Sequence, residues 1–160
     1  MNPSFREILE LLNKYEVEFI VVGGVAAVIQ GAPVTTFDLD ALVRIGEDNA
    51  DRLSLALDEL DARYREHQST VRPTKEDILA GGHLLLLTRA GPLDVLGFIG
   101  DKNRYEDLVH HSTEVSMTIG TFRVLDLDEL VRQKKLSDRP KDRAMLELLE
   151  EALRQQKPID

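Results

Sequence analysis

The 160-residue sequence contains no cysteine, which removes disulfide scaffolds, thiolate zinc sites and cysteine nucleophiles together. It has no long apolar run and no signal-like start, since Met1 to Ser4 lead straight into a helical pattern. Secretion and membrane spanning are therefore not expected, and a cytoplasmic setting is. Positive charge is in deficit: 20 Lys and Arg stand against 29 Asp and Glu, for a net charge of −9. That argues against a broad phosphate-binding surface and restricts any nucleic-acid contact to a narrow one. Repeats and low-complexity linkers are absent too. Arg72-Pro73-Thr74 marks a loop, and in so short a chain it reads as an ordinary connection. One domain over 1–160 is expected, large enough to bury a core without staples, with a core at about 18–126 and C-terminal helices at about 127–155.

What is present alternates between helical and strand patterns. Ser4-Phe5-Arg6-Glu7 has the form of a capping box, and Phe5, Ile8, Leu9, Leu11 and Leu12 follow helical spacing to about Lys14. Glu18–Val22 is a short β-branched run, Gly23-Gly24 a turn, and Val25–Gln30 a small-residue helix stopped by Gly31. Strands are expected over 38–43, 83–88 and 93–98, the last two joined as a hairpin through Ala90-Gly91-Pro92, and a helix over 49–60. Helix over 104–111, strands over 114–119 and 121–125, and helices over 127–136 and 140–154 complete an α+β pattern.

Chemistry concentrates in Val21-Val22-Gly23-Gly24 and Phe37-Asp38-Leu39-Asp40-Ala41-Leu42-Val43. Side chains alternate along a strand, so Asp38 and Asp40 share a face. Like charges held that close repel, and a divalent metal such as Mg2+ or Mn2+ resolves the conflict, because hard cations take oxygen ligands while substrate phosphates complete the shell. Asp94, an acidic residue in the otherwise apolar run Leu93–Leu96, is the candidate third carboxylate; the competing reading is a turn aspartate bonded to backbone amides after Gly91-Pro92. Gly23 and Gly24 permit a tight turn into a helix whose first amides suit a triphosphate, although a glycine pair also simply turns a strand into a helix. The spacing does not fit the dinucleotide G-x-G-x-x-G pattern, and no Lys-Ser/Thr follows as in a P-loop.

Hydrophobic-Gly-Gly at 22–24, Asp-hydrophobic-Asp at 38–40, and Asp94 together resemble the nucleotidyltransferase superfamily related to DNA polymerase beta. Within it, Thr36 two residues before the first aspartate, Gly91-Pro92-Leu93-Asp94-Val95-Leu96, Lys134 or Lys135, and Arg139-Pro140-Lys141-Asp142 are similar to small bacterial proteins related to the AbiEii toxin group. The resemblance covers about Ile20 to Leu149. It implies a mixed β-sheet packed with helices and transfer of a nucleoside monophosphate from a nucleoside triphosphate (NTP) to an acceptor hydroxyl, on an RNA end, a protein or a small molecule. An antitoxin protein is an implied partner. Asp38, Asp40 and Asp94 would be the catalytic metal ligands, and Gly23, Gly24, Thr36 and Lys135 would orient the triphosphate. Relatives often carry Arg where this chain has Val34; Arg44, Arg123 and Arg139 are the candidate replacements.

Lys134, Lys135, Arg139, Lys141 and Arg143 form the densest positive cluster, otherwise readable as a solvated helix face, and Asp142 reads as a partner for one of these cations. His83, His110 and His111 lack ligand-spaced companions and receive no role. Phe98 reads as core and Tyr105 as a half-buried helix residue. The alternatives to an active enzyme are a catalytically degenerate nucleotide-binding or protein-interaction module of the same fold, and a structural domain whose aspartates only make turns and surface pairs.

Overall fold

Twelve residues near the N-terminus show how the first element forms: Phe5, Ile8, Leu9 and Leu12 recur at helical spacing and are all buried, while Glu10 on the opposite side is exposed. A computed structural model describes residues 3–66, 70–137 and 139–156. Helix α1 runs Pro3–Lys14. It begins before Ser4, so Ser4 lies inside the first turn rather than ahead of it as the capping-box reading expected. Pro at a helix start loses nothing, because its missing N–H would have had no partner there.

The chain continues through β1 (Phe19–Val22), α2 (Gly23–Ile29), β2 (Leu39–Val43), α3 (Glu47–Glu59) and the two-residue strand β3 (Arg63–Tyr64). Then follow α4 (Lys75–Leu79), β4 (His83–Thr88), β5 (Gly91–Leu96), α5 (Tyr105–Leu108), which runs into a 3-10 turn (Val109–His111), β6 (Ser112–Met117), β7 (Gly120–Leu125), α6 (Leu127–Lys135) and α7 (Pro140–Gln156). The seven strands form one mixed sheet in the order β3-β4-β5-β2-β1-β7-β6. Strand β1 is antiparallel to β2 and parallel to β7, and β2 is parallel to β5. This is the α+β class with C-terminal helices expected from the sequence pattern, and the mixed sheet that the resemblance implies.

Two elements lie outside the sequence reading. Strand β3 is too short to carry a period, and α4 sits just past the loop at Arg72-Pro73-Thr74. A reciprocal cap starts α4: Thr74 Oγ1 accepts from the Asp77 N–H at 3.1 Å, and Asp77 Oδ2 accepts from the Thr74 N–H at 3.0 Å.

The sheet is buried most deeply at its centre. All four residues of β1 are buried, and Asp40 is the one residue of β2 that is not. In β4 buried Leu84, Leu86 and Thr88 alternate with exposed His83, Leu85 and Leu87, as the pleat requires. Helix α1 packs on α3 and β7, α2 on β1, β2 and α6, and α6 pairs with α7. Buried Asn49 joins α3 to the sheet: its Oδ1 accepts from the Glu18 N–H at 2.8 Å, and its Nδ2 donates to the carbonyls of Glu18 at 3.1 Å and Arg44 at 2.7 Å. No helix among the described residues is long and apolar enough to cross a membrane.

Candidate active site

Asp38 lies in the bend just ahead of β2, two residues before Asp40, and its side chain is on the same side as that of Asp40. Asp94 comes from β5, where it is the direct register partner of Asp40. Ligand oxygens of Asp38, Asp40 and Asp94 all lie within 4.8 Å of one another. Burial, reinforced by the charges of Asp38 and Asp94, pushes the Asp40 carboxyl up to about 8. Burial and Asp94 also raise Asp38, against the opposing pull of the Arg65 guanidinium. Asp40 Oδ1 is buried without a hydrogen-bond partner. An orphaned buried carboxylate oxygen beside two more carboxylates is a donor set that fits a hard divalent cation.

The glycines serve this cluster sterically. Gly23 opens α2 directly, without the separate turn expected for the pair, at φ +67°. A Cβ on Gly23 would collide with Asp40 Oδ2, and one on Gly24 would fall 2.8 Å from Thr36 Oγ1. Only hydrogen at these two Cα atoms lets the approach to β2 lie against the start of α2. Thr36 Oγ1 donates to the Asp38 carbonyl at 3.0 Å and so fixes the backbone that delivers the first carboxylate.

Arg65, which the sequence reading passed over, is the cation at the carboxylates. Its Nη2 donates to Asp94 Oδ1 at 2.6 Å and to the Leu86 carbonyl at 3.0 Å, and its Nη1 lies 3.8 Å from Asp38 Oδ2. The suggested replacements for the cation absent at Val34 are held by other partners. Arg44 pairs with Glu18 and with Asp48 at 3.0 Å, Arg123 bonds Ser112 Oγ at 3.1 Å, and Arg139 bonds Asp142 at 2.9 Å. The one available signal for Arg65 was the alternation Arg63-Tyr64-Arg65, too short to read as a strand.

A cavity of about 580 Å3 borders Asp40 and Gly23, and its lining includes His83, Ile99, Lys134 and Arg139. Asp38 and Asp94 are not part of that lining. The cavity thus meets the carboxylate cluster at Asp40, while Asp94 and Arg65 lie outside its wall. Lys134, Ser137 and Arg139 converge on buried Asp142, at 2.9, 2.6 and 2.9 Å. Although burial opposes it, those three hydrogen bonds hold the Asp142 carboxyl down at about 2. Lys135 points away: its Nζ is 3.6 Å from Glu150, its side chain is 59% exposed, and it is not in the cavity wall. His83, to which the sequence assigned no role, lies at the cavity with its Nε2 3.0 Å from the Phe98 carbonyl and its ring 4.5 Å from the Phe98 ring.

No protein-family model and no curated protein matches the sequence. Solved structures do match. A lincosamide antibiotic adenylyltransferase, LnuA, solved with lincomycin bound, is 10% identical over 95% of this chain and 98% of its own, with a TM-score of 0.64. The antibiotic-resistance factor ANT(2'')-Ia is 13% identical over 96% and 86%, at 0.60. A Thermotoga maritima protein classed as a nucleotidyltransferase is 19% identical over 92% and 91%, at 0.56. With a seven-stranded mixed sheet and three carboxylates gathered on β2 and β5, the chain has the fold of the nucleotidyltransferases.

Proposed function

We propose that this protein is a metal-dependent nucleotidyltransferase, which moves a nucleoside monophosphate from an NTP to an acceptor hydroxyl with loss of pyrophosphate. The observation that carries this reading is the convergence of Asp38, Asp40 and Asp94 beside a cavity whose wall also holds Lys134 and Arg139. Asp38 and Asp40 would hold two Mg2+ or Mn2+ ions and Asp94 the ion on the acceptor side. When bound, such ions neutralise charge on the triphosphate and acidify the attacking hydroxyl.

The chain's own residues supply the positioning on which phosphoryl transfer depends. Asp94, outside the cavity wall, receives the proton of the acceptor hydroxyl. Gly23 and Gly24 admit Asp40 and the Thr36 segment to the phosphate seat, and Thr36 keeps Asp38 in place through its carbonyl. The cavity is of a size that takes a nucleoside. We assign the phosphate-facing lysine to Lys134 in place of Lys135, because Lys134 lines the cavity and Lys135 pairs with Glu150 outside it.

A small hydroxyl-bearing molecule is the acceptor we favour. The net charge of −9 disfavours an RNA end, and LnuA, of the same fold, is a lincosamide adenylyltransferase. Membership of the AbiEii-related group, with an antitoxin partner and a protein or RNA acceptor, rests on the motif resemblance.

Calorimetric titration of each NTP with Mg2+, against the double variant Asp38→Asn/Asp40→Asn, tests the reading. Binding to wild type that the double variant loses is the expected result. Absence of binding to any NTP would instead favour the degenerate interaction module.

A further inference from the structure

We infer that Arg65 is the resident cation of the carboxylate cluster, holding Asp94 and Asp38 together until a divalent ion displaces its guanidinium. The inference rests on the metal-dependent reading above and concerns how that site is kept in order before it is loaded.

Three carboxylates on one sheet face need a counter-charge, and Arg65 is the cation within ion-pair distance of two of them, Asp94 at 2.6 Å and Asp38 at 3.8 Å. The Asp94 oxygen that accepts from Nη2 belongs to the carboxylate that would ligate the ion, so ion and guanidinium compete for one negative charge. They also repel one another in a half-buried setting, where charge interactions are stronger than in water.

The grip is built to be released. Arg65 holds Asp94 through Nη2 alone rather than through the side-on fork that would use Nε, and Nε is buried without a hydrogen-bond partner. Departure of the side chain removes that unsatisfied donor from the interior. The backbone need not follow, because the Arg65 N–H donates to the Leu85 carbonyl at 2.9 Å in continuation of the β3–β4 ladder. With its side chain 34% exposed, Arg65 already reaches solvent, into which the guanidinium can move.

The decisive measurement is Mn2+ binding without nucleotide, followed by the electron paramagnetic resonance signal of free Mn2+, for wild type, Arg65→Gln and Arg65→Lys. Arg65→Gln should bind Mn2+ roughly tenfold more tightly than wild type, because a competing unit charge is gone, and Arg65→Lys should fall between. Unchanged or weaker binding by Arg65→Gln would overturn the inference and make Arg65 an orienting partner of Asp94. No binding by any of the three proteins would overturn the metal reading, and the inference with it. An independent readout uses wild type alone: the Arg65 guanidinium 15N signals should pass from hindered to free rotation as Mg2+ is added. Persistence of the hindered signals at saturating Mg2+ would sink the displacement.

Discussion

Asp40 and Asp94 are register partners on adjacent parallel strands, so two carboxylates stand side by side, flanked along their own strands by buried Leu39, Ala41, Leu93 and Val95. A fold under selection for stability alone would not place them there, and their mutual repulsion has measurable consequences.

The first is a pH dependence of the metal-free protein. Asp40 is pushed from the ordinary 3.8 up to about 8, and Asp38 is raised as well. A carboxyl that titrates higher in the folded than in the unfolded chain keeps its proton longer when folded, so stability falls as pH rises between those values. In chelator, urea unfolding should show greater stability at pH 5 than at pH 8. Asp40→Asn should flatten that slope and exceed wild type at pH 8 by roughly 1–3 kcal/mol. A less stable Asp40→Asn would mean that the cluster is not repulsive.

Gly23→Ala should cost roughly 1–3 kcal/mol, since φ +67° strains any L side chain and the added methyl occupies the place of Asp40 Oδ2. Thermal unfolding with and without Mg2+ separates the two effects. Backbone strain lowers both midpoints equally, whereas displacement of Asp40 also abolishes the stabilisation by Mg2+.

The corner between α6 and α7 depends on Asp142, whose side chain is 4% exposed. Asp142→Ala leaves Lys134 without its carboxylate and should destabilise by roughly 2–4 kcal/mol. Because the Asp142 carboxyl is held at about 2, its contribution is present above pH 4 and is lost as pH falls toward 2. Wild type should therefore lose stability over that acid window more steeply than Asp142→Ala.

Lys134 and Lys135 are separated by function in the same region. Lys134→Ala should weaken NTP affinity about tenfold by calorimetry, and Lys135→Ala should leave it near wild type. The reverse order would restore the lysine that the sequence motif favoured.

Asn49→Ala should cost roughly 2–3 kcal/mol in urea unfolding without altering Mg2+ or NTP binding. Its side chain satisfies the Glu18 amide and the Glu18 and Arg44 carbonyls at the ends of β1 and β2, and alanine would leave them without that partner.

Local pattern sufficed wherever a period of two or 3.6 could speak. The apolar spacing of α1, the alternation that puts Asp38 and Asp40 on one face, and the hairpin of β4 and β5 all follow from residues within a few positions of each other. The run Leu84-Leu85-Leu86-Leu87 shows where such reading stops. Four identical side chains carry no period, and only packing buries Leu84 and Leu86 while Leu85 and Leu87 face outward.

By itself, then, the sequence determined the carboxylate pair, the glycines beside it, the order of the helices and strands other than β3 and α4, and the density of cations near residue 139. Tertiary structure decided which distant groups join them. Asp94 meets Asp40 through the parallel pairing of β5 with β2, and Arg65 reaches Asp94 from 29 positions earlier by way of a two-residue strand at the sheet edge. Lys134 rather than Lys135 faces the cavity because successive helical residues point roughly 100° apart, and which of them points inward is set by how α6 docks, not by composition. Contacts between residues far apart in the chain depend on strand order and helix docking, and neither quantity is written in any short window of sequence.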